Sequence, residues 1–321
     1  MRILITGAAG HTAAALIPTL LHRSDVQELI ALDRCTPPIV HPKLRVLIMD
    51  IRSPQLVPVL AGIDCVIHLA FMVLSPHLGP QSRWRDEMRD INLRGSQNLF
   101  RAASAAGVRQ VIYSGSVAAY GAWPDNPVPI HESWPCRPVP GFAYSEDKGD
   151  LENWLDDFVT QQTHTAFTRL RLHAIIGPHG QKLVNDIATS PFTLKLKNPD
   201  LPIQCLHEDD AVTAFLAALT YGRSGIFNIA APDPIPWSSI PRKWRLPLSP
   251  QQLHRIHRSL RPFSRALGDP GWIQVLENPL IVDIERARQA LGWQPRYTVG
   301  ETIAVVRRDL QRAPWKAWSR F

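Results

Sequence analysis

Short apolar runs alternate with helical patterns through the first half of the chain, a glycine-bearing turn directly follows the first run, and an acid ends the second. These features predict an α/β fold, a doubly wound parallel sheet with a smaller, loop-rich C-terminal lobe. Helices on both faces of such a sheet explain why its strands read as continuous apolar runs rather than alternating ones.

The elements follow in order. Residues 3–6 read as a strand and 11–22 as a helix, where Pro18 removes one helical hydrogen bond or adds a kink. Residues 29–32, 45–48 and 65–69 read as further buried strands, and 110–114 and 166–171 add two more. Helical stretches are expected over 83–106 and 144–162. After Gly177 the pattern changes. Residues 178–204 carry Pro178, Pro191, Pro199 and Pro202 and predict a loop-rich insertion. Residues 208–219 are helical again, and 226–229 strand-like. Residues 232–248 are rich in Pro and Trp. Ser249 then reads as a helix N-cap with Pro250 at the first helical position, and Leu253, Ile256 and Leu260 as that helix's apolar stripe.

The chain has 321 residues, 45% hydrophobic and 20% charged, which argues against global disorder. The net charge of +7 can mean nucleic acid, and equally suits an anionic cofactor or simple solubility. No basic run is interleaved with aromatics, so nucleic-acid binding ranks well below an enzymatic role. Cys35, Cys65, Cys136 and Cys205 are scattered, which predicts reduced thiols in a cytoplasmic protein and neither a metal site nor a redox pair. The first strand starts at once and its turn arrives by Gly7, so no signal peptide is expected there, and no apolar run reaches membrane-spanning length.

The segment Thr6-Gly7-Ala8-Ala9-Gly10-His11-Thr12-Ala13 joins the first strand to the first helix. Gly7 allows the tight turn, and Gly10 lets the backbone approach a pyrophosphate seated on the helix N-terminus. Ala13 stands where a third small residue lets helix and strand pack. With a strand before it and a helix after it, this is the Rossmann-type dinucleotide turn. Asp33 lies about 20 residues further on, where an acid accepts hydrogen bonds from the adenosine ribose. That favours NAD, since a 2′-phosphate would meet a negative charge. Arg34 beside it keeps NADP open, because it could pair with such a phosphate. Asp50 closes the third strand and could meet the adenine amino group; a surface turn acid is the alternative on spacing alone.

Tyr144 and Lys148 are spaced to share one helical face. A phenol with a pKa near 10 is a poor base at neutral pH. A nearby ammonium and a positive nicotinamide ring both favour the phenolate. Tyr144 then takes a proton from a substrate hydroxyl while hydride leaves for the nicotinamide. Ser116, just past the fifth strand, can hold the substrate oxygen beside Tyr144. A Tyr and a Lys four apart are common on solvated helices; the order of glycine turn, ribose acid, strand-end Ser and Tyr–Lys pair is what gives them meaning.

The chain resembles the extended short-chain dehydrogenase/reductases, the NAD-dependent epimerase/dehydratase family. The matching segments are residues 6–13, DCVIHLA over 64–70, Asn92-Leu-Arg-Gly95 with Asn98, and VIYSGS over 111–116 with Tyr120-Gly121. Next come YSEDK over 144–148, Arg171 with Gly177-Pro178, His207-Glu-Asp-Asp210, Phe227-Asn-Ile229 and LGWQP over 291–295. The resemblance implies a catalytic group of Ser116, Tyr144 and Lys148. The expected cofactor-binding residues are Gly7, Ala9, Gly10, His11, Thr12, Asp33, Arg34, Asp50, Ile51, Leu69, Ala70, Phe71, Asn92, Ser114, Tyr144, Lys148 and His173. Ala70 and Phe71 would line the cofactor, Asn92 would order the active site, and Ser114 would lie near the nicotinamide. His173 could face the nicotinamide pocket or be structural. A homodimer through the helical stretches 83–106 and 144–162 is also implied.

Departures bear on the substrate. Dehydratases of the family place a Thr followed by Asp-Glu at the catalytic hydroxyl, whereas Ser116 precedes Val117 and Ala118. Sugar-nucleotide epimerases carry an Asn where Ala174 stands, and the Arg-Asp pair often seen ahead of His207 is missing. Residues 1–177 with 204–231 are expected to form the NAD-binding domain, and 178–203 with 232–321 the substrate lobe. In that lobe Arg242, Lys243 and Arg245 read as a solvated basic loop in preference to a phosphate site, and His254, His257, Arg258 and Arg261 as a solvated helix face. Arg286, Arg288, Arg307, Arg308 and Arg312 read as surface charges. The leading reading is an NAD-dependent enzyme that oxidises a secondary alcohol of a sugar or sugar-nucleotide-like small molecule, with epimerisation favoured as the net reaction. A simple dehydrogenase of a non-nucleotide alcohol is the alternative. A non-catalytic NAD-binding sensor ranks low because Tyr144 and Lys148 are both present.

Overall fold

The computed structural model describes residues 1–73, 84–181, 184–186, 192–194, 201–240, 244–246, 249–259 and 271–312. Seven strands form one sheet: β1 (Arg2–Thr6), β2 (Glu28–Asp33), β3 (Leu44–Ile48), β4 (Cys65–His68), β5 (Gln110–Ser116), β6 (Ala166–Leu172) and β7 (Gly225–Ile229). Their order is β7-β6-β5-β4-β1-β2-β3, and all adjacent pairs are parallel. The order reverses between β1 and β4, which opens a crevice at their C-terminal ends.

Alternation along each strand feeds two cores. Ile3, Ile5, Ile67, Ile112 and Leu170 pack with helices α1 (His11–Leu21) and α6 (Glu208–Tyr221) on one face. Leu4, Val66, Val111 and Phe167 pack on the other with α2 (Leu56–Leu60), α4 (Ser96–Ala105) and α5 (Ala143–Thr160), through Leu56, Leu99, Phe100, Leu151 and Leu155. Burying each such side chain contributes about 1.5–3 kcal/mol.

The observed elements differ from the sequence reading in two places. The strand β3 is an edge, not a buried strand: Val46 is 36% and Ile48 55% exposed, because nothing pairs beyond it. The helix expected over 83–106 is broken into α3 (Arg85–Arg89), a π-helical turn Asp90–Gly95, and α4. Within that turn Asn92 points inward to satisfy buried backbone, and Gly95 sits where a Cβ would strike Ile51 at 2.8 Å. The helix α1 runs past Pro18 to Leu21, as the sequence reading has it.

Ser249 caps α7 (Pro250–Ser259): its Oγ accepts from Gln252 N at 3.2 Å while Gln252 Oε1 accepts from Ser249 N at 2.8 Å. Leu253 is half-buried, but Ile256 is 38% exposed. The helices α8 (Gly271–Glu277), α9 (Glu285–Leu291) and α10 (Val299–Arg312) follow. A small third core joins Ile176, Cys205, Trp237 and Ile240 to Val299, Ile303 and Val306 of α10. Arg286, expected as a plain surface charge, is exposed and rests over the Phe227 ring at 5.6 Å. Arg83, Pro191, Pro199, Arg242, Lys243, Leu260 and Arg261 lie outside the described residues, as do the side chains of Arg245, His257 and Arg312. No helix among the described residues is long and apolar enough to cross a membrane.

Candidate active site

The turn after β1 fixes one end of the crevice. Gly7 has φ +70°, and a Cβ there would meet Ala70 N at 2.5 Å. Both conformation and contact therefore require glycine. Gly10 N donates to Gly7 O at 3.0 Å, and Gly10 caps α1 without any side-chain acceptor. The turn thus presents the N-terminus of α1, where backbone amides suit an anion. This donor set fits the diphosphate of a dinucleotide. Asp33, at the end of β2, accepts from Ala9 N at 3.0 Å and from Cys35 N at 3.1 Å, which ties the ribose-acid position to the glycine turn.

The Tyr144 phenol lies near enough to the Ser116 hydroxyl for Ser116 to draw its pKa down. Ser116 is the last residue of β5, and its Oγ accepts from Ala118 N at 3.1 Å. Tyr144 is held edge-on by Phe71, with ring centres 5.7 Å apart, and flanked by Phe142 at 6.2 Å. Burial, the larger influence, raises the phenol's pKa against that pull. One turn along α5, Lys148 Nζ donates to Ser114 O at 2.7 Å and Tyr113 Oη at 3.3 Å. Burial pushes Lys148 down to about 7, against the pull of Glu152 and Asp147.

Two buried networks hold this group from behind. Asn92 accepts from Met72 N at 2.7 Å, donates to Met72 O at 2.9 Å, and donates to Asp147 at 2.9 Å. Asp147 also takes Arg85 at 2.6 Å. The loop bearing Phe71 is thereby pinned to α5. Under the glycine turn, His68 is bonded to Thr6 Oγ1 at 2.7 Å and to Ser96 Oγ at 2.8 Å. Burial pushes His68 down to about 3, so the ring is neutral.

A cavity of about 250 Å³ runs along these groups. It brings together Gly7, Gly10, His11, Thr12, Leu69, Phe71, Ser114, Ser116, Tyr144, Lys148 and His173. His179 and Glu208 also line it, and sequence reasoning missed both. Glu208 accepts from His179 N at 2.7 Å and from His179 Nδ1 at 2.9 Å.

Other expected cofactor residues lie off this cavity. Ile51 is 5% exposed and packs in the second core, and Asn92 is fully buried on Met72 and Asp147. Neither side chain lines this cavity. Ala70 backs Gly7. Asp50 turns to Arg52, which donates to it at 2.7 Å and 3.0 Å and holds its carboxyl below the usual range. Arg34 is exposed, 3.9 Å from Asp50. His173 lines the cavity, but its Nε2 is taken by Leu280 O at 2.8 Å and its Nδ1 by Ala174 N at 2.8 Å.

Residues 3–230 match the NAD-dependent epimerase/dehydratase family. An uncharacterised protein of Mycobacterium tuberculosis is 26% identical over 326 residues, covering 94% of this chain and 82% of that protein. The UDP-glucose 4-epimerase of Corynebacterium glutamicum is 26% identical over 330 residues, covering 94% of this chain and 93% of that one. Among solved structures, a short-chain dehydrogenase/reductase superfamily protein of Agrobacterium tumefaciens with bound NAD superposes with a TM-score of 0.73 at 19% identity, covering all of both chains.

Proposed function

The chain belongs to the NAD-dependent epimerase/dehydratase family, and we propose that it removes hydride from a secondary alcohol carbon of a sugar or sugar-like small molecule, with epimerisation as the net reaction. The observation that carries this is the placement of Ser116 and Tyr144 together, with Lys148 one turn away, on the wall of a cavity that also contains Gly7 and Gly10. NAD⁺, when bound, supplies the hydride acceptor. Ser116 positions the substrate oxygen. Tyr144 takes the hydroxyl proton, and Lys148 favours the phenolate. Gly7, Gly10 and the first amides of α1 hold the diphosphate, and Asp33 the adenosine ribose. Val117 and Ala118 after Ser116 carry no acid or base, which disfavours elimination. The likeness to a UDP-glucose 4-epimerase over nearly its whole length supports a sugar-like substrate.

Cofactor retention separates the two net reactions. The purified protein is denatured, and released cofactor is read by absorbance; NAD⁺ and NADP⁺ are then titrated calorimetrically. Tightly retained NAD supports epimerisation, because such an enzyme regenerates its cofactor each cycle. Weak, exchanging NAD moves the assignment to a dehydrogenase. Absence of binding overturns the proposal.

We assign the substrate lobe to 178–203 and 232–321, on the strength of the separate small core around Trp237 and α10. A cytoplasmic homodimer through α4 and α5 is part of the same proposal. Trp154 and Phe158 stack on α5 with ring centres 4.5 Å apart, both only partly buried, which supports that face. Light scattering at micromolar concentration tests it, and a monomeric mass refutes it.

A further inference from the structure

The strand β6 places two arginines, Arg169 and Arg171, on the face covered by α5, and both are buried. Glu152 lies opposite, fully buried, one helical turn beyond Lys148. Its Oε2 accepts from Arg171 Nε at 3.0 Å and Nη2 at 2.8 Å, and from Arg169 Nη1 at 3.4 Å. Among the described residues its buried Oε1 has no hydrogen-bond partner. That oxygen lies 2.8 Å from where a Cβ on Gly115 would stand. Gly115 separates Ser116, which lies beside Tyr144, from Ser114, whose carbonyl takes Lys148 Nζ.

A buried carboxylate oxygen without a partner is costly, and it persists where something else uses its charge. We propose that Glu152 is a positioning residue for the Tyr144–Lys148 pair, its carboxylate holding the charge on Lys148 through the back of the active-site strand. The inference rests on the reading of Lys148 as the cation beside Tyr144.

Of the other groups around Lys148, Asp147 also favours its charge. From β4, His68 is pushed down to about 3 and is neutral. From β5, the Tyr113 phenol is raised well above its ordinary value by burial and is neutral. On α5 itself Asp147 is paired with Arg85 at 2.6 Å. Arg169 has a second partner, Asp156, at 2.6 Å. Behind the strand, Glu152 stands between Lys148 on its own helix and the two arginines of β6. Without the carboxylate, Arg171 would be a bare cation behind the active site, and Lys148 would lose its proton more readily.

The test reads Lys148 in the protein without added cofactor or substrate. Acetic anhydride reacts with the neutral amine, and peptide mass spectrometry gives the acetylated fraction of Lys148 across pH 5–10 as the probe. Glu152→Gln is expected to lower the midpoint by about one pH unit or more. Glu152→Asp is expected to bring it back towards the starting value. Arg169→Met removes a cation on the far side of the same carboxylate and is expected to raise it. Opposite shifts are not the signature of general loosening. If Glu152→Gln does not fold, Arg169→Met decides alone: an unchanged or lowered midpoint overturns the proposal. The midpoint is independent of whether any alcohol is oxidised, so failure here leaves the oxidoreductase reading standing.

Discussion

Lys148 Nζ lies 3.6 Å from the centre of the Phe71 ring. Two opposed effects meet in that contact. The ring face attracts the ammonium by about 0.5–2 kcal/mol. The same ring excludes water, and burial is the larger influence on Lys148, pushing it down to about 7. Phe71→Ala is therefore expected to raise the Lys148 midpoint in the acetylation titration, because the water admitted outweighs the lost ring. A fall would mean that the ring contact, not burial, dominates.

Tyr144→Phe keeps the ring packed between Phe71 and Phe142 and removes only the hydroxyl beside Ser116. NAD⁺ affinity is expected to stay nearly unchanged by calorimetry, while turnover of any accepted alcohol falls by about 10²–10⁴-fold. Full activity in this variant would remove Tyr144 from the role of base.

What could be read from the sequence was what is local. The glycine turn and the Tyr144–Lys148 spacing depend on a few consecutive residues, and their backbone requirements show in residue type. Glu152 was missed because its partners, Arg169 and Arg171, are on a different element. The signal existed: two arginines alternating within an otherwise apolar strand require a buried acid on the covering helix. Asn92 was recognised as an ordering residue, but its place behind the site, and the π-helical turn that aims it there, come from packing against Ile51 and Met72. The exposure of β3 could not be read from its apolar residues, because edge position is set by sheet order.

Asp33 sits where it discriminates between the two cofactors. Asp33→Asn keeps an acceptor for Ala9 N, which the carboxylate now holds at 3.0 Å, and removes the negative charge. The NAD⁺/NADP⁺ affinity ratio is expected to fall about tenfold, equivalent to about 1.4 kcal/mol of relieved repulsion. An unchanged ratio would place the adenosine ribose elsewhere.

Two buried histidines tie stability to pH. Burial pushes His68 down to about 3 and His173 to about 4. In the unfolded chain both return to about 6.5. Between those values the unfolded chain binds protons that the folded one does not, so stability is complete above about pH 6.5 and is lost as pH falls. Each histidine contributes a slope of up to about 1.4 kcal/mol per pH unit in that window. His173→Gln removes one titrating ring while leaving a side chain able to donate to Leu280 O, which His173 Nε2 now meets at 2.8 Å. The variant's Tm at pH 7 is expected to be somewhat lower, because the ring's packing is lost. Its further fall between pH 7 and pH 4.5 should be shallower than that of the unaltered protein, since one fewer group takes up a proton on unfolding. Parallel Tm curves across that range would show that His173 is protonated in the folded state as readily as in the unfolded chain.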